Sequence, residues 1–403
     1  MSKSLYLKSS KIVLKDQVIS GVIEIKDQNI YKIHDYSFKK DGIVDYKDNI
    51  IAPGLIDIHT HGYKGYSFSG VSSSSDIEKV SEIYLQHGIT SLVATVSPKG
   101  IKPVVKQIEK GFKASEILGL HLEGPFINPK RFGAANPKST FLKPSLEILD
   151  NLLKDAKGYL TMMTLAPEVK NNDKIIERLI KRKVKVAVGH SNISYQEINE
   201  IEDKVDIITH LANAMSGLHH RQMGLLGYGL NKDIFVELIA DGLHVEKPML
   251  EIIFKIKSFD EIILISDSIA LAGCKKGEYQ LSDSKLWVSN DGLILNEFKH
   301  ISGSSFNLLE IVKYLYNNYN FKLNDLFKMA SFNPSKFLKN QKIGSIANNK
   351  QADLIVLNKD LDLIDVYKKG RLSFKQEDKK IKENPNLEKI IKDKEFLNFY
   401  GTK

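Results

Sequence analysis

Cysteine is almost missing from this 403-residue chain: Cys274 stands alone, which excludes an internal disulfide and a cysteine-rich zinc module. No apolar run approaches the ~18 residues needed to span a bilayer, so a membrane-spanning helix is excluded too. The first twenty residues, MSKSLYLKSSKIVLKDQVIS, hold no long apolar core ahead of a small-residue cleavage site. No secretory leader is therefore expected, and a cytoplasmic location is. Neither a block of five Lys/Arg, a zinc finger nor an RNP-type motif occurs. The net charge of +9 thus reads as a Lys-rich solvated surface rather than a nucleic-acid footprint. The densest charge run, Lys375 to Glu395, mixes both signs.

What is present is globular in character. Apolar residues make up 42% and charged residues 27%, near the soluble average, which excludes wholesale disorder. The length allows two to three domains, or one α/β barrel of ~250 residues with a small satellite.

Residues 1–52 alternate short β-patterned runs (LYLKSSKIVL, VISGVIEIKD, NIYKIHDY) with turn residues. From Pro53 the pattern becomes strand, loop, helix, repeated. Eight apolar runs read as strands: GLIDIH, ITSLVATV, ILGLHLE, LTMMTLAP, VKVAVGH, DIITHLA, IFVELIAD and EIILISD. Amphipathic stretches such as SDIEKVSEIYLQHG and DKIIERLIKRK lie between them. Near-continuous apolar strands alternating with helices are buried on both faces, which points to a (β/α)8 TIM-type barrel over 53–342. A β-like insertion, YQLSDSKLWVSNDGLIL, follows the eighth run. Renewed β-patterning over 343–375 pairs in expectation with 1–52, as a small β-sandwich domain built from both chain termini. Residues 376–403 read as a charged, helical extension.

Polar residues interrupt the apolar runs at one end. The first run closes in DIHTH, the third in HLEGPF, the fifth in VGHS, the sixth in THLANA, the seventh in LIADGLH and the eighth in SDS. In a parallel barrel these C-terminal ends meet at one mouth, where chemistry is done. His59 and His61, two apart on a strand, share a face. With Glu123, His190, His210 and Asp267 they form a nitrogen/oxygen set suited to a divalent ion such as zinc, iron or manganese. His34, His87 and His300 have no such placement, and His121 reads as packing beside the ligands rather than ligating.

PGLIDIHTHG, HLEGPFINPKRFGA, VGHSN, THLANAMSGLHHR, IADGLHV and SDS, in this order, resemble the amidohydrolase superfamily and, within it, the N-acetylglucosamine-6-phosphate deacetylases. The resemblance runs from about residue 50 to 310. It implies metal-dependent hydrolysis of an N-acetyl amide, with one or two metal ions per chain. Glu123, His190 and His210 match the core ligands, and His59 and His61 the pair that holds a second metal. Asp267 matches the catalytic acid/base. Asn213, Ala214, Arg221 and His244 match positions that hold a sugar phosphate, and Ala134 with Ile301, Ser302 and Gly303 match further substrate contacts. A homodimer is implied, with Arg221 acting across its interface.

Two departures stand out. Some members carry a histidine where this chain has Ala135, and they tend to lack the H-x-H pair, so a second metal can supply the missing polarisation here. HHRQMG also lacks the Glu-Pro common after the arginine. The nearest alternative is an N-acetylgalactosamine-6-phosphate deacetylase, which shares every motif. A dihydroorotase- or hydantoinase-like cyclic amidase is set apart by Glu123, where those relatives use a carboxylated lysine.

Overall fold

The computed structural model describes residues 4–69, 73–133, 142–281, 284–378 and 389–390. Eight parallel strands follow one another in chain order around a barrel: Leu55–Thr60, Ile89–Val96, Glu116–Glu123, Leu160–Leu165, Lys185–Val188, Ile207–Ile208, Phe235–Leu238 and Ile262–Leu264. Each coincides with one of the eight apolar runs. The first two are buried at every residue, which is why their sequences show no polar alternation.

Among the described residues no regular ladder joins the eighth strand to the first. Two backbone bonds close that seam at the mouth, from Asp267 N to His59 O at 2.9 Å and from His61 N to Ser268 O at 2.8 Å. The closure therefore passes through candidate ligands.

Helices cross between most strands, and their starts are legible. Ser73 and Asp76 form a reciprocal capping box on Ser74–Leu85, as do Ser194 and Glu197 on Tyr195–Asn199. Each cap satisfies amide groups the first turn leaves open, worth about 1 kcal/mol. The helix after the eighth strand, Leu308–Asn318, is delayed by an antiparallel sheet of Gly277–Leu281, Ser284–Val288, Leu293–Asn296 and Ile301–Ser304. A parallel bridge between Ser268 and Ser304 sets the end of that insertion against the barrel mouth.

The two ends of the chain share a separate sheet. Leu5–Val13, Val18–Lys26, Asn29–Asp35, Ile43–Asp45 and Ile50–Pro53 join Leu354–Leu357, Leu363–Lys368 and Arg371–Lys375 in one eight-stranded array. The junction is antiparallel, with Leu354 opposite Pro53 and Leu357 opposite Ile50. Leu7, Ile12, Ile23, Ile25, Leu354 and Tyr367 belong to a core of its own. Of the charged extension, the described residues are a 3-10 turn at Gln376–Asp378 and a strand at Lys389–Ile390, paired with Gly277–Leu281. The remainder lies outside the described residues. Among the described residues no helix is long and apolar enough to cross a membrane.

Candidate metal centre

Strand ends supply the site. His59 lies on the first barrel strand and His61 just past it, Glu123 closes the third, and His190, His210 and Asp267 follow the fifth, sixth and eighth. All six expected ligands meet at the mouth. Glu123 sits at the centre. Its Oε1 lies 3.0 Å from Nε2 of both His190 and His210, and its Oε2 lies 3.2 Å from His61 Nε2. Asp267 Oδ1 is 3.4 Å from His59 Nε2 and 3.3 Å from His61 Nε2. The donors fall into two groups, His59/His61/Glu123/Asp267 and Glu123/His190/His210, within each of which the donor atoms lie no more than 4.8 Å apart. Glu123 belongs to both.

The backbone is bent to achieve this. His190, His210 and Asp267 have φ of 47°, 28° and 47°, in the left-handed region that non-glycine residues rarely occupy. Such strain persists only where surrounding structure enforces it, and it gathers at working sites.

The donor set fits a divalent cation. His190 Nδ1 donates to Arg131 O at 2.8 Å, which leaves its Nε2 as a lone pair. That lone pair lies 3.1 Å from His210 Nε2, both aimed at one carboxylate oxygen. His59 Nε2 is buried with no hydrogen-bond partner. Nitrogen and carboxylate donors converging in this way suit zinc, iron or manganese.

Electrostatics agree. Burial opposes charge on His59, but Glu237, Glu123 and Asp267 hold its pKa well above the usual imidazole range. His61 is likewise desolvated, yet Asp267 and Glu123 push it to about 9. Glu123 is held well below the carboxylate range, burial notwithstanding, by His59, His190 and His210. Asp267 is lowered against its burial by His59 and His61. The carboxylates thus stay ionised and demand positive charge, which a metal ion supplies with release of protons.

Residues not foreseen support the cluster from below. Glu237, on the seventh strand, is fully buried and its Oε2 lies 2.9 Å from His59 Nδ1. Asp57 accepts from the amides of His59 at 3.2 Å and Ser266 at 3.3 Å, tying the first strand to the eighth, and burial pushes its pKa up to about 7. A carboxylate inside an apolar run, as in IFVELIAD, is the signal that finds Glu237, because buried charge has to be paired. His121 packs beside the ligands as expected: it bonds Thr95 and Thr164 and meets the His59 ring edge-on at 4.5 Å between centroids. Burial, then the neighbouring His59, drives its pKa well down, so it stays neutral.

Above the cluster opens a cavity of about 290 Å³. Asn213, Ala214, His244, Ile301, Ser302 and Gly303 line it together with His61, Glu123, His190, His210 and Asp267. Six of the eight expected substrate contacts are thereby gathered. His244 is oriented by a 2.7 Å bond from Nδ1 to Asp241 Oδ2, and its Nε2 is buried without a hydrogen-bond partner. Desolvation works against charge on His244, but Asp241 raises its pKa. Arg221 is not brought into this cavity; it is exposed on the short hairpin of Leu218–His219 and Gln222–Met223. Ala134 and Ala135 lie outside the described residues.

Fold and cluster together define a class, the barrel hydrolases built around a histidine/carboxylate metal centre. The amidohydrolase family model matches residues 50–391, and the chain belongs to that family. It is 30% identical over 392 residues to the N-acetylglucosamine-6-phosphate deacetylase of Bacillus subtilis, covering 93% of this chain and 98% of that one. An N-acetylgalactosamine-6-phosphate deacetylase of Escherichia coli O157:H7 is 27% identical, over 80% of this chain and 88% of its own. The crystal structure of the N-acetylglucosamine-6-phosphate deacetylase of Thermotoga maritima superposes with a TM-score of 0.80 at 29% identity, over 92% of this chain and all of that one.

Proposed function

We propose that this chain hydrolyses the N-acetyl amide of N-acetylglucosamine-6-phosphate to acetate and glucosamine-6-phosphate, in amino-sugar catabolism or cell-wall recycling. The observation that carries the reading is the shared Glu123, which joins two histidine groups directly beneath a cavity lined by His244, Asn213 and the Ile301–Gly303 segment. His59, His61, Glu123, His190, His210 and Asp267 would hold one or two divalent ions there, zinc, iron or manganese. A bound ion would supply Lewis-acid chemistry, lowering the pKa of water toward neutrality and polarising the amide carbonyl.

The chain's own residues do the rest. Asp267 takes a proton from the attacking water and returns it to the amide nitrogen as the carbon–nitrogen bond breaks. Ionised and 3.3–3.4 Å from two imidazoles, it is already placed over the cluster. His244, its pKa raised by Asp241 against its burial, offers Nε2–H to an anionic substrate group when protonated. Arg221, exposed on its hairpin, reaches the phosphate of a second copy's substrate in a homodimer. A phosphorylated sugar does not cross a membrane unaided, which favours a cytoplasmic reaction.

Acetate release tests the reading. N-acetylglucosamine-6-phosphate should give the highest kcat/KM, and the unphosphorylated sugar a value lower by at least about tenfold, the worth of one charged hydrogen bond. A preference for the galacto epimer selects the alternative deacetylase. No acetate from any of the three, with metal present, rejects both.

A further inference from the structure

Glu237 has no place in the chemistry above, yet it is a carboxylate fully buried in the barrel interior. It is fully buried on the seventh strand, and Val236 and Leu238 beside it are 0% exposed. Removing a carboxylate from water costs several kcal/mol unless good partners repay it. Its Oε1 has no hydrogen-bond partner, so packing and stability alone do not account for a charged residue here. Only Oε2 is engaged, and both of its contacts are with candidate ligand residues: His59 Nδ1 at 2.9 Å and the backbone amide of His210 at 3.3 Å. Period-two alternation turns Glu237 to the same face as Ile239, which lines the cavity.

We propose that Glu237 is a positioning residue that fixes His59 for metal binding and, through the His210 amide, ties the two halves of the centre together. The bond to Oε2 makes Nδ1 the protonated nitrogen of His59, so Nε2 presents its lone pair to the ion. Nε2 is the atom that lacks a hydrogen-bond partner and faces Asp267. The same oxygen pins the backbone at His210, whose left-handed φ of 28° needs external support. Without the carboxylate the imidazole can adopt the other tautomer or rotate, and the His59/His61/Asp267 group loses a donor. The group at Glu123/His190/His210 keeps its three side chains.

The inference rests on the metal reading of the site, and one experiment separates the two. Full-length protein purified without chelator is dialysed against zinc buffers of graded free concentration, and zinc per chain is measured. The wild type should take up about two equivalents. Glu237→Leu should retain one and bind the other about 10–100-fold more weakly, the usual cost of losing a ligand's orienting partner. Glu237→Gln, which keeps an acceptor for Nδ1–H, should recover most of that loss. Glu237→Leu combined with His59→Gln should be no worse than His59→Gln alone. If His59→Gln loses the second zinc while both Glu237 variants keep the wild-type isotherm, the positioning role is wrong and the metal reading stands. Losses from Glu237→Leu and His59→Gln that add in full also overturn it. If His59→Gln leaves the isotherm unchanged, the His59 subsite itself is wrong and the proposal falls with it.

Discussion

Asp267 is held from both sides of the seam, its amide on His59 and its carbonyl on the amide of Ser304 at 3.0 Å. Asp267→Asn keeps the shape and a metal-facing oxygen but cannot carry the proton. Deacetylation should fall by about 10²–10⁴-fold while bound metal stays within the wild-type range, and near-normal turnover rejects the acid/base role. Gly303 lies under the same residue. Its φ is +109°, and a Cβ there would meet Ile269 Cγ2 at 2.6 Å and Asp267 O at 2.8 Å. Gly303→Ala should therefore lower kcat by at least about tenfold through displacement of Asp267, a shift in the reacting group of the kind that costs up to about 10². Unchanged steady-state rates refute that coupling. The candidate metal ligands were legible because imidazoles and carboxylates ended apolar runs, whereas the candidate substrate contacts came from the family resemblance. Glu237 escaped because it lies within a run, and Arg221 was named only through the family resemblance, as a contact made across a dimer interface.

At the scale of elements, the turn after the seventh strand is built on Asp241. Its Oδ1 accepts from the amides of Leu243 and His244, both at 2.9 Å, and its Oδ2 takes His244 Nδ1. Asp241 is lowered, against its burial, chiefly by His244, and His244 is raised, against its own burial, chiefly by Asp241. The raised histidine stabilises fully below its unfolded pKa of about 6.5 and loses this as pH rises through its folded value. The lowered aspartate contributes fully above about 3.9 and loses this as pH falls through its folded value. The stability gap between wild type and His244→Gln should thus be widest between about pH 4 and 6.5 and narrow above it, as read by urea unfolding. A gap that does not change with pH shows that His244 is uncharged. The eight strands were legible even where only two or three residues are hydrogen-bonded, as at Ile207–Ile208, because burial on both faces marks them by composition rather than length. The insertion was visible as β-pattern, but its bridge from Ser304 to Ser268 depends on a tertiary contact that no local pattern encodes.

Across the whole molecule, buried Lys368 links the shared sheet to the barrel. Lys368 Nζ lies 2.7 Å from Asp353 Oδ2, and it also faces Ser91 Oγ at 3.5 Å and Glu116 Oε2 at 3.6 Å, on the second and third barrel strands. Lys368→Ala strands a buried carboxylate and should cost about 3–5 kcal/mol in chemical denaturation. Lys368→Ala combined with Asp353→Ala should recover part of it, and a double variant no better than the single one refutes the pairing. The proposed homodimer makes a separate prediction. Arg221→Ala and Asp267→Asn chains, each poorly active alone, should regain activity when unfolded together and refolded as mixed dimers, since one site then holds both residues. No gain on mixing means that Arg221 serves its own chain or none. A last consequence concerns biosynthesis. Ile50–Pro53 leads directly into the strand bearing His59, and its sheet partner Leu354–Leu357 is translated about 300 residues later. At roughly 5–20 residues per second, the nascent chain carries an open sheet edge for roughly 15–60 s. Ribosome-associated holding factors have their greatest purchase on this protein during that interval, and premature termination before residue 354 leaves the edge bare for good.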